Sequence, residues 1–388
     1  MMFMEYFIWS AWYVTMGTYM KAHLQSDDIH IGAAFSALAI ATMISPFFVG
    51  LIADRFFAAQ KIMGVLHLAG AVLLVMATRV TDNQLFYWVI LAYSLLYMPT
   101  IALSNNIAFY QMTDPGTQFP WIRVFGTAGW IVAGWLVGTL GFEKSPDTFY
   151  LAAGVSVALG LFSFFLPHTP PKGVQEDAGA GMLKSTGVLF KSRAYVVFFI
   201  AAILVCIPLA FYYGFANPFL NEVGMSNAAG KMILGQVSEG IFILAIPFLF
   251  NRIGVKNMLL LGMSAWVIRY ICFGFGYENP QSWLLYAGII LHGICYDFFF
   301  VTGYMYTEKK AGPAIKNAAQ GLFTFATYGL GMFIGTWISG FVAGHYAVAD
   351  GHLWRQIWLV PAGIAALVLL YFLVFFRDEN VSSKNISQ

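Results

Sequence analysis

The apolar residues of this chain fall into stretches of about 20 residues, separated by short polar segments along its whole length. A transmembrane helix needs about 20 consecutive apolar residues, so each stretch is long enough to cross a bilayer. The pattern predicts twelve spans, near residues 3–22, 31–53, 58–79, 84–110, 119–141, 148–167, 194–220, 230–250, 255–277, 282–306, 316–344 and 354–376. We therefore expect an all-α polytopic membrane protein. The first span starts at once, and we expect a short cytoplasmic leader to precede it in the native chain.

The longest polar interruption divides these spans into two groups of six. Between Pro167 and Arg193 the chain mixes proline and glycine with charged residues, which is typical of a linker. Each half also carries a turn with a polar residue, an arginine and a lysine, within Gly50–Lys61 and within Phe250–Asn257. The turn resembles a loop motif of the major facilitator superfamily, whose members pack repeated halves around a midplane site. We expect two pseudo-symmetric six-helix bundles at 1–167 and 194–376, a cytoplasmic linker at 168–193 and a cytoplasmic tail at 377–388.

Charged residues are scarce and unevenly distributed. They make up 10% of the chain, and hydrophobic residues 60%, whereas a soluble domain has about 25% charged residues. Of the 20 lysines and arginines, thirteen fall in loops on the side of the termini, five on the opposite side and two within spans. Because positively charged loops stay in the cytoplasm, both termini are predicted to be cytoplasmic. The net charge of +2 gives no indication of a nucleic-acid partner.

The chain lacks the residue patterns of an enzyme or a metal protein. Its three cysteines, Cys206, Cys272 and Cys295, lie in apolar stretches without metal-ligand spacing. Such cysteines are usually buried core residues. The sequence shows no pair of nucleophile and base. We therefore predict no enzymatic activity, no bound metal and no cofactor.

Two ionisable residues, His292 and Asp297, lie deep within the tenth span. A carboxylate at membrane depth costs several kcal/mol, so it normally faces a partner or a water-filled cavity. We expect Asp297 to face a cavity, and the alternative is a purely structural pairing with a neighbouring helix. His292 lies one turn from Tyr296, so both are expected to line the same pore. The alternative for His292 is a hydrogen-bonded structural histidine.

The fifth and eighth spans each place polar residues on one face. Arg123, Thr127 and Trp130 follow an i, i+4, i+7 spacing, and Gln236 precedes Glu239 by three residues. An arginine in a cavity supplies fixed donors for a polar substrate. The alternative is that Arg123 extends its charged end to the cytoplasm.

Other residues within the spans have simpler explanations. The aromatic stripe Trp9 to Met16 in the first span is more often packing than a binding wall. Asn105 either bonds a neighbouring helix or lines the cavity. Glu5 lies near the cytoplasmic end, where we expect it to reach water. Arg269 is expected to extend to water or to pair structurally.

Arg123, Glu239 and Asp297 together suggest proton coupling. If the three share one cavity, two carboxylates face one fixed cation. One carboxylate can then bind a proton in one state and release it in another. The spacing alone leaves open whether the three residues meet.

At these residues the chain resembles the nucleoside:proton symporter family of the major facilitator superfamily. The similarity keeps its order and spacing over nearly the whole chain, in the stretches 12–20, 50–54, 97–100, 119–129, 236–247, 296–299 and 308–321. The resemblance implies twelve helices, inward and outward states, and nucleoside uptake driven by the proton gradient. Arg123 and Thr127 match its substrate-side positions on helix 5, Gln236 and Glu239 its amide and acid on helix 8, and Asp297 its acid on helix 10.

Four residues depart from the pattern of that family. Ala210 and Tyr213 stand where helix 7 is expected to carry amides, His292 stands where a tyrosine is expected, and Tyr296 where a phenylalanine is expected. These positions are expected to read the base. A modified nucleoside, or a substrate outside the class, is therefore an alternative to the ordinary nucleosides.

We predict a proton-coupled symporter for nucleosides or close analogues in a bacterial inner membrane, functional as a monomer. The predicted substrate-binding residues are Arg123, Thr127, Trp130, Tyr213, Gln236, Glu239, His292, Tyr296 and Asp297. Asp297 and Glu239 are also predicted to carry the proton. The alternatives are a transporter of another polar solute such as a sugar conjugate, an exporter, and a membrane sensor that does not transport.

Overall fold

The computed structural model describes residues 1–48, 57–171, 185–313 and 315–377, and nearly all of them are helical. Within these residues, ten helices are long and apolar enough to span a membrane. The first helix, which is interrupted, and the shorter apolar helix Asp147–Ser163 complete the predicted set. The prediction of an all-α membrane protein with twelve spans is therefore confirmed.

The helices follow one another with short connections. The first six are α1 (Met2–Tyr13, continued by Met16–Tyr19 and Met20–Leu24), α2 (Asp28–Phe48), α3 (Ala59–Ala77), α4 (Asn83–Gln111), α5 (Pro115–Thr139) and α6 (Asp147–Ser163). The last six are α7 (Arg193–Glu222), α8 and α9 (the two arms of Ala228–Gly276), α10 (Trp283–Ala311), α11 (Lys316–His345) and α12 (Trp354–Phe375). Short 3₁₀ turns lie at Phe142–Lys144 and Gly187–Lys191, and the antiparallel strands β1 (Ala347–Val348) and β2 (Gly351–His352) connect α11 to α12.

Local residue chemistry explains several helix boundaries. The Asp82 carboxylate accepts a hydrogen bond from the Leu85 N–H at 2.7 Å and so caps the start of α4. The sequence predicts α8 and α9 as separate spans at 230–250 and 255–277. The structure confirms two spans, Ala228–Ile246 and Arg252–Gly276, and the helical conformation is broken between them at Gly254, whose φ of 74° lies in the left-handed region open to glycine.

Within the described residues, three membrane helices widen into π-helical turns. These turns lie at Met20–Leu24 in α1, at Asp297–Val301 in α10 and at Phe325–Gly331 in α11. Turns of this kind are frequent at functional sites. The turn in α10 begins at the acidic residue that the sequence places at membrane depth.

Small residues bring helices from the two halves into backbone contact. A Cβ atom on Gly32 of α2 would overlap the carbonyl oxygen of Thr336 in α11. A Cβ atom on Gly17 of α1 would lie 2.8 Å from the carbonyl oxygen of Gly214 in α7. Glycine thus permits the close helix crossings that are typical of membrane interfaces.

Some sequence motifs lie outside the described residues. These are positions 50–54 of the first turn motif, residues 172–184 of the predicted linker and residues 378–388 of the predicted tail. The boundaries of the two bundles therefore stay predictions. The end of the molecule opposite to residue 1 is called the far face, and it is formed by the connections 25–27, 78–82, 140–146, 223–227, 277–282 and 346–353.

Candidate functional site

A cavity of about 470 Å³ lies between the first six and the last six helices. Small-molecule sites in proteins commonly measure about 300–1,000 Å³. The wall is rich in aromatic rings, contributed by Tyr6, Trp9, Tyr13, Trp130, Tyr213, Tyr296, Tyr304 and Tyr328. The cavity therefore offers flat apolar faces together with phenolic hydroxyl groups.

Most of the residues predicted from the sequence line this cavity. They are Arg123, Thr127 and Trp130 on α5, Tyr213 on α7, Gln236 and Glu239 on α8, and Tyr296 on α10. His292 and Asp297 are not part of the lining, and their exposed fractions are 1% and 0%. The fold thus brings residues from both halves to one cavity, with two of the predicted ionisable groups buried outside its wall.

Arg123 contributes its guanidinium group to the cavity wall. Its Cζ atom lies 4.0 Å from the centre of the Tyr6 ring, which is a cation–π contact. The planar guanidinium group can donate two parallel hydrogen bonds to the oxygen atoms of one ligand. On the same helix, the Trp130 ring packs edge-on against Trp9 with 5.5 Å between centres. Its backbone carbonyl accepts a hydrogen bond from the Ser10 hydroxyl at 2.9 Å.

Glu239 is the acidic group of the cavity wall. Its side chain is 21% exposed, and Gln236 lies one turn earlier on the same wall. Close packing of α8 on α10 fixes this position, because a Cβ atom on Gly293 would lie 2.5 Å from the Glu239 nitrogen. The Ser238 hydroxyl also donates to the Ile290 carbonyl at 2.6 Å. A carboxylate and an amide are thus held side by side.

A buried cluster lies behind Glu239. The Nε2 atom of His292 is 3.9 Å from Glu239 Oε2, and its Nδ1 atom is 3.1 Å from Arg269 Nη1. Arg269 has no exposed surface, and its Cζ atom lies 3.5 Å from the centre of the Tyr212 ring. Of the two alternatives for Arg269, extension to water is wrong and structural pairing is found, because α9 turns this residue towards α7 and α10. The sequence pattern of α9 does not reveal which face meets those helices.

Asp297 begins the π turn of α10 and is fully buried. Neither of its carboxyl oxygens has a hydrogen-bond partner within the described parts of the chain. A purely structural carboxylate would be expected to pair with a neighbouring helix. A charged carboxylate without a partner is costly to bury, so Asp297 differs from an ordinary structural residue.

Glu5 forms a second buried cluster, within the first six helices. It accepts a hydrogen bond from the Thr100 hydroxyl at 2.6 Å, and its carboxylate lies 3.0 Å from His67 Nε2. Its backbone carbonyl accepts from the Tyr97 hydroxyl at 2.6 Å. The expectation that Glu5 reaches water is wrong, since its exposed fraction is 0%. Asn105, for which the sequence leaves two alternatives, lines the cavity.

An ion-pair network joins the two halves at the far face. Lys21 of α1 lies 2.8 Å from Asp28 of α2. His352 of β2 lies 3.0 Å from the Asp28 carboxylate and 2.7 Å from that of Glu222 in α7. Burial lowers the pKa of His352, but its hydrogen bonds to Asp28 and Glu222 outweigh burial and the nearby Lys21 charge, so that this pKa is raised above its ordinary value.

Glu143 forms a further connection at the far face. Its carboxylate accepts hydrogen bonds from the Asn217 amide at 2.9 Å and the Asn221 amide at 2.7 Å. It also accepts from the Ala229 N–H at 3.0 Å, in the first turn of α8. A carboxylate is stabilising at a helix N-terminus. These bonds hold α7 and α8 against the first six helices at this end of the cavity.

Comparisons with known proteins agree with this architecture. The family model described as nucleoside H+ symporter matches residues 1–381. The transporter YegT of Escherichia coli strain K12 is 42% identical over 98% of this chain and 93% of its own length. The xanthosine permease of the same strain is 34% identical over 99% of this chain and 96% of its own length.

A solved structure shows the same fold. The crystal structure of the nucleoside transporter NupG matches this chain with a TM-score of 0.89 and 34% sequence identity, covering 97% of each chain. The family match spans far more than half of the chain, and the relatives are matched over nearly their full length. The chain therefore belongs to the nucleoside H+ symporter family, which consists of membrane transporters and not of enzymes.

Proposed function

We propose that this protein is a proton-coupled symporter that imports nucleosides or close analogues across a bacterial inner membrane. The observation that carries the proposal is the chemistry of the cavity, where Arg123, Gln236 and Glu239 lie among aromatic rings. Membership of the nucleoside H+ symporter family supports it. Two relatives are described as a nucleoside permease and a xanthosine permease.

A nucleoside matches the cavity part by part. Its adjacent ribose hydroxyls can donate to the Glu239 carboxylate, which accepts without donating. Its base offers acceptors and donors to Arg123 and Gln236, and a flat face to Trp130 or Tyr296. A simple sugar has the hydroxyls but no flat face. The aromatic wall therefore favours a nucleoside over a sugar.

We assign different tasks to the two carboxyl groups. Glu239 is accessible from the cavity, so it can contact the substrate directly. Asp297 is buried and has no hydrogen-bond partner among the described residues, so it suits a group that carries a proton in this conformation. Proton release from Asp297 then requires a change in its surroundings, which links the proton to the conformational cycle.

Transport is proposed to proceed by alternate opening of the cavity to the two sides of the membrane. The halves 1–167 and 194–376 move about the cavity, and the contacts of Glu143 with Ala229 and of His352 with Asp28 break when the far face opens. The far face is assigned to the periplasm, because most lysines and arginines lie in loops on the other side. Both walls of the cavity come from one chain, so a monomer suffices.

Uptake of labelled uridine and adenosine into proteoliposomes tests the proposal. An inward proton gradient should drive accumulation of at least one of them, and a protonophore should abolish it. Asp297→Asn should lose accumulation but retain exchange of labelled for unlabelled nucleoside, because the substrate wall is unchanged. The matched variant Glu239→Gln should weaken exchange as well. Folded protein that neither accumulates nor exchanges any nucleoside would refute the proposal.

Modified nucleosides are the second candidate substrate class. The wall carries phenolic hydroxyls at Tyr213 and Tyr296, and the Tyr328 hydroxyl donates a hydrogen bond to that of Tyr296. The family is expected to have an amide at the position of Tyr213 and a phenylalanine at that of Tyr296, so the hydroxyls change the donors and acceptors that meet the base. A thermal-shift screen of the purified protein against ordinary and modified nucleosides separates the two classes. Stabilisation by modified nucleosides alone would favour the second.

A further inference from the structure

Arg269 and His292 form a buried pair behind the cavity wall, next to Glu239. We propose that Arg269 is a positioning residue that holds His292 as the neutral tautomer with its proton on Nε2. The Nε2–H group then faces Glu239, and His292 takes no part in binding the coupled proton. The inference rests on the proposed function only for the role of Glu239 in binding substrate.

The tautomer follows from the chemistry of the guanidinium group. Arginine has donors and no acceptor. The Nδ1 atom of His292, 3.1 Å from Arg269 Nη1, must therefore accept a hydrogen bond and cannot carry a proton. A doubly protonated ring would also place two cations in contact at a buried site, which is unfavourable. The single ring proton is thus on Nε2, which lies 3.9 Å from Glu239 Oε2.

Aromatic rings hold the guanidinium group in place. Its Cζ atom lies 3.5 Å from the centre of the Tyr212 ring, 5.4 Å from that of Trp266 and 5.7 Å from that of Phe273. These cation–π contacts compensate part of the cost of burying a charge. Arginine Nε and Nη2 have no hydrogen-bond partner in the described part of the chain. Nη1 donates to His292, and the guanidinium group also interacts with the Tyr212 hydroxyl and the Cys295 thiol.

The histidine ring is fixed equally well. It stacks on Tyr212 with 5.0 Å between ring centres and an angle of 25°. A Cβ atom on Gly235 of α8 would lie 3.0 Å from the His292 Cβ atom, so the α8 backbone borders the ring. Among the described residues, the charged and titratable groups that face His292 are Arg269 from α9, Glu239 from α8, Tyr212 from α7 and Tyr296 from α10, and Cys295 of α10 interacts with Arg269.

This arrangement changes the charge count of the site. The sequence indicates one fixed cation, Arg123, beside two carboxyl groups. The structure adds Arg269 as a second fixed cation behind the wall, separated from Glu239 by a neutral imidazole. Because the histidine cannot bind a further proton while Arg269 donates to it, proton uptake is left to the carboxyl groups.

Nitrogen NMR of the full chain in lipid nanodiscs tests the tautomer without reference to transport. The chain has seven histidines, and the His292 signals are assigned by their loss in His292→Gln. We expect an unprotonated Nδ1 and a protonated Nε2 across about pH 5–8. A protonated Nδ1 in the parent protein would overturn the proposal. In Arg269→Met, Nδ1 loses its donor, and the ring proton should distribute over both nitrogens.

Nucleoside exchange tests the consequence for substrate binding. His292→Gln keeps a donor directed at Glu239, so its KM should stay within about threefold of the parent value. His292→Phe removes the donor, and its KM should rise about tenfold. Arg269→Met should also raise KM, by no more than the rise of about tenfold expected for His292→Phe, because the ring proton is no longer held on Nε2. Arg269→Lys, which retains a cation, should recover part of the loss.

The double variant separates positioning from a structural role. If Arg269 acts through the histidine, adding Arg269→Met to His292→Gln should leave KM and its pH profile unchanged. An equal loss in both backgrounds would overturn the proposal. Arg252→Met is the matched control, since Arg252 also stacks on a ring, that of Phe248 at 4.0 Å, without contacting His292. If the parent exchanges no nucleoside, the proposed function fails, while the NMR result still decides the tautomer.

Discussion

Replacement of Glu143 provides the strongest test of how the far face opens. Its side chain is 6% exposed, and its carboxylate accepts hydrogen bonds from Asn217, Asn221 and the Ala229 N–H. Glu143 belongs to the first half of the chain and all three donors belong to the second. The bonds therefore exist only while the far face is closed, and their loss should favour the open conformation without disturbing either half.

The expected change in the free energy of the closed conformation follows from these three hydrogen bonds. Glu143→Gln keeps the shape of the side chain but replaces a charged acceptor by a neutral amide, and one of its two terminal atoms becomes a donor that faces another donor. A hydrogen bond to a charged group contributes about 1.5–3 kcal/mol and one to a neutral group about 0.5–1.5 kcal/mol. We expect a loss of about 2 kcal/mol from the closed conformation, which shifts the equilibrium towards the open one about 30-fold.

Electron paramagnetic resonance distances across the far face measure this shift. Spin labels at Thr81→Cys and Gln281→Cys sit on exposed positions of the first and second half. Glu143→Gln should increase the population at long distance. Asp147→Asn is the control, because Asp147 is exposed and accepts its hydrogen bond from Ser145 of its own half. A distance distribution that is the same in Glu143→Gln as in the parent would refute the reasoning.

Three further predictions concern other parts of the molecule. Because the pKa of His352 is raised, its protonated form stabilises the closed far face fully below about pH 6.5, and this contribution is lost as pH rises through the raised pKa. The open population should therefore grow with pH. His352→Gln should flatten this dependence in the same distance measurement. Glu5→Leu leaves buried donors without an acceptor and should lower the free energy of unfolding by roughly 3–5 kcal/mol, whereas Glu5→Gln should cost less, as thermal unfolding in detergent would show. Gly129→Ala adds a Cβ atom that overlaps the Phe3 carbonyl oxygen and should destabilise by roughly 1–3 kcal/mol; Gly154→Ala, with open space around it, should not, and equal melting temperatures for the two variants would contradict this account.

The fold could be predicted from the sequence because it depends on local properties. Length and apolarity of each stretch identify a membrane helix without knowledge of its neighbours. The separation of α8 from α9 was predictable in the same way, and the break in helical conformation lies at Gly254, within the polar turn between the two apolar stretches. The π turn at Asp297–Val301 was not predictable, because one additional residue in a turn leaves the apolar pattern almost unchanged.

The cavity wall was predictable where one helix supplies neighbouring residues. Helical spacing alone places Arg123 beside Thr127 and Gln236 beside Glu239. The position of Arg269 depends instead on how α9 packs against α7 and α10, which no spacing within α9 encodes. The same applies to Glu5, whose burial results from partners on other helices.

The different burial of the two acids limits how coupling can work. Glu239 lines the cavity and can exchange its contacts with a substrate, whereas Asp297 has no access to the cavity in this conformation. If one acid served both ligands, substrate would compete with the proton for the same group. With the roles divided as we propose, substrate binding at Glu239 and proton binding at Asp297 could occur together, and only a change in the surroundings of α10 would expel the proton. The neutral His292 fits this division, because a third proton acceptor beside Glu239 would allow the proton to bind without that change.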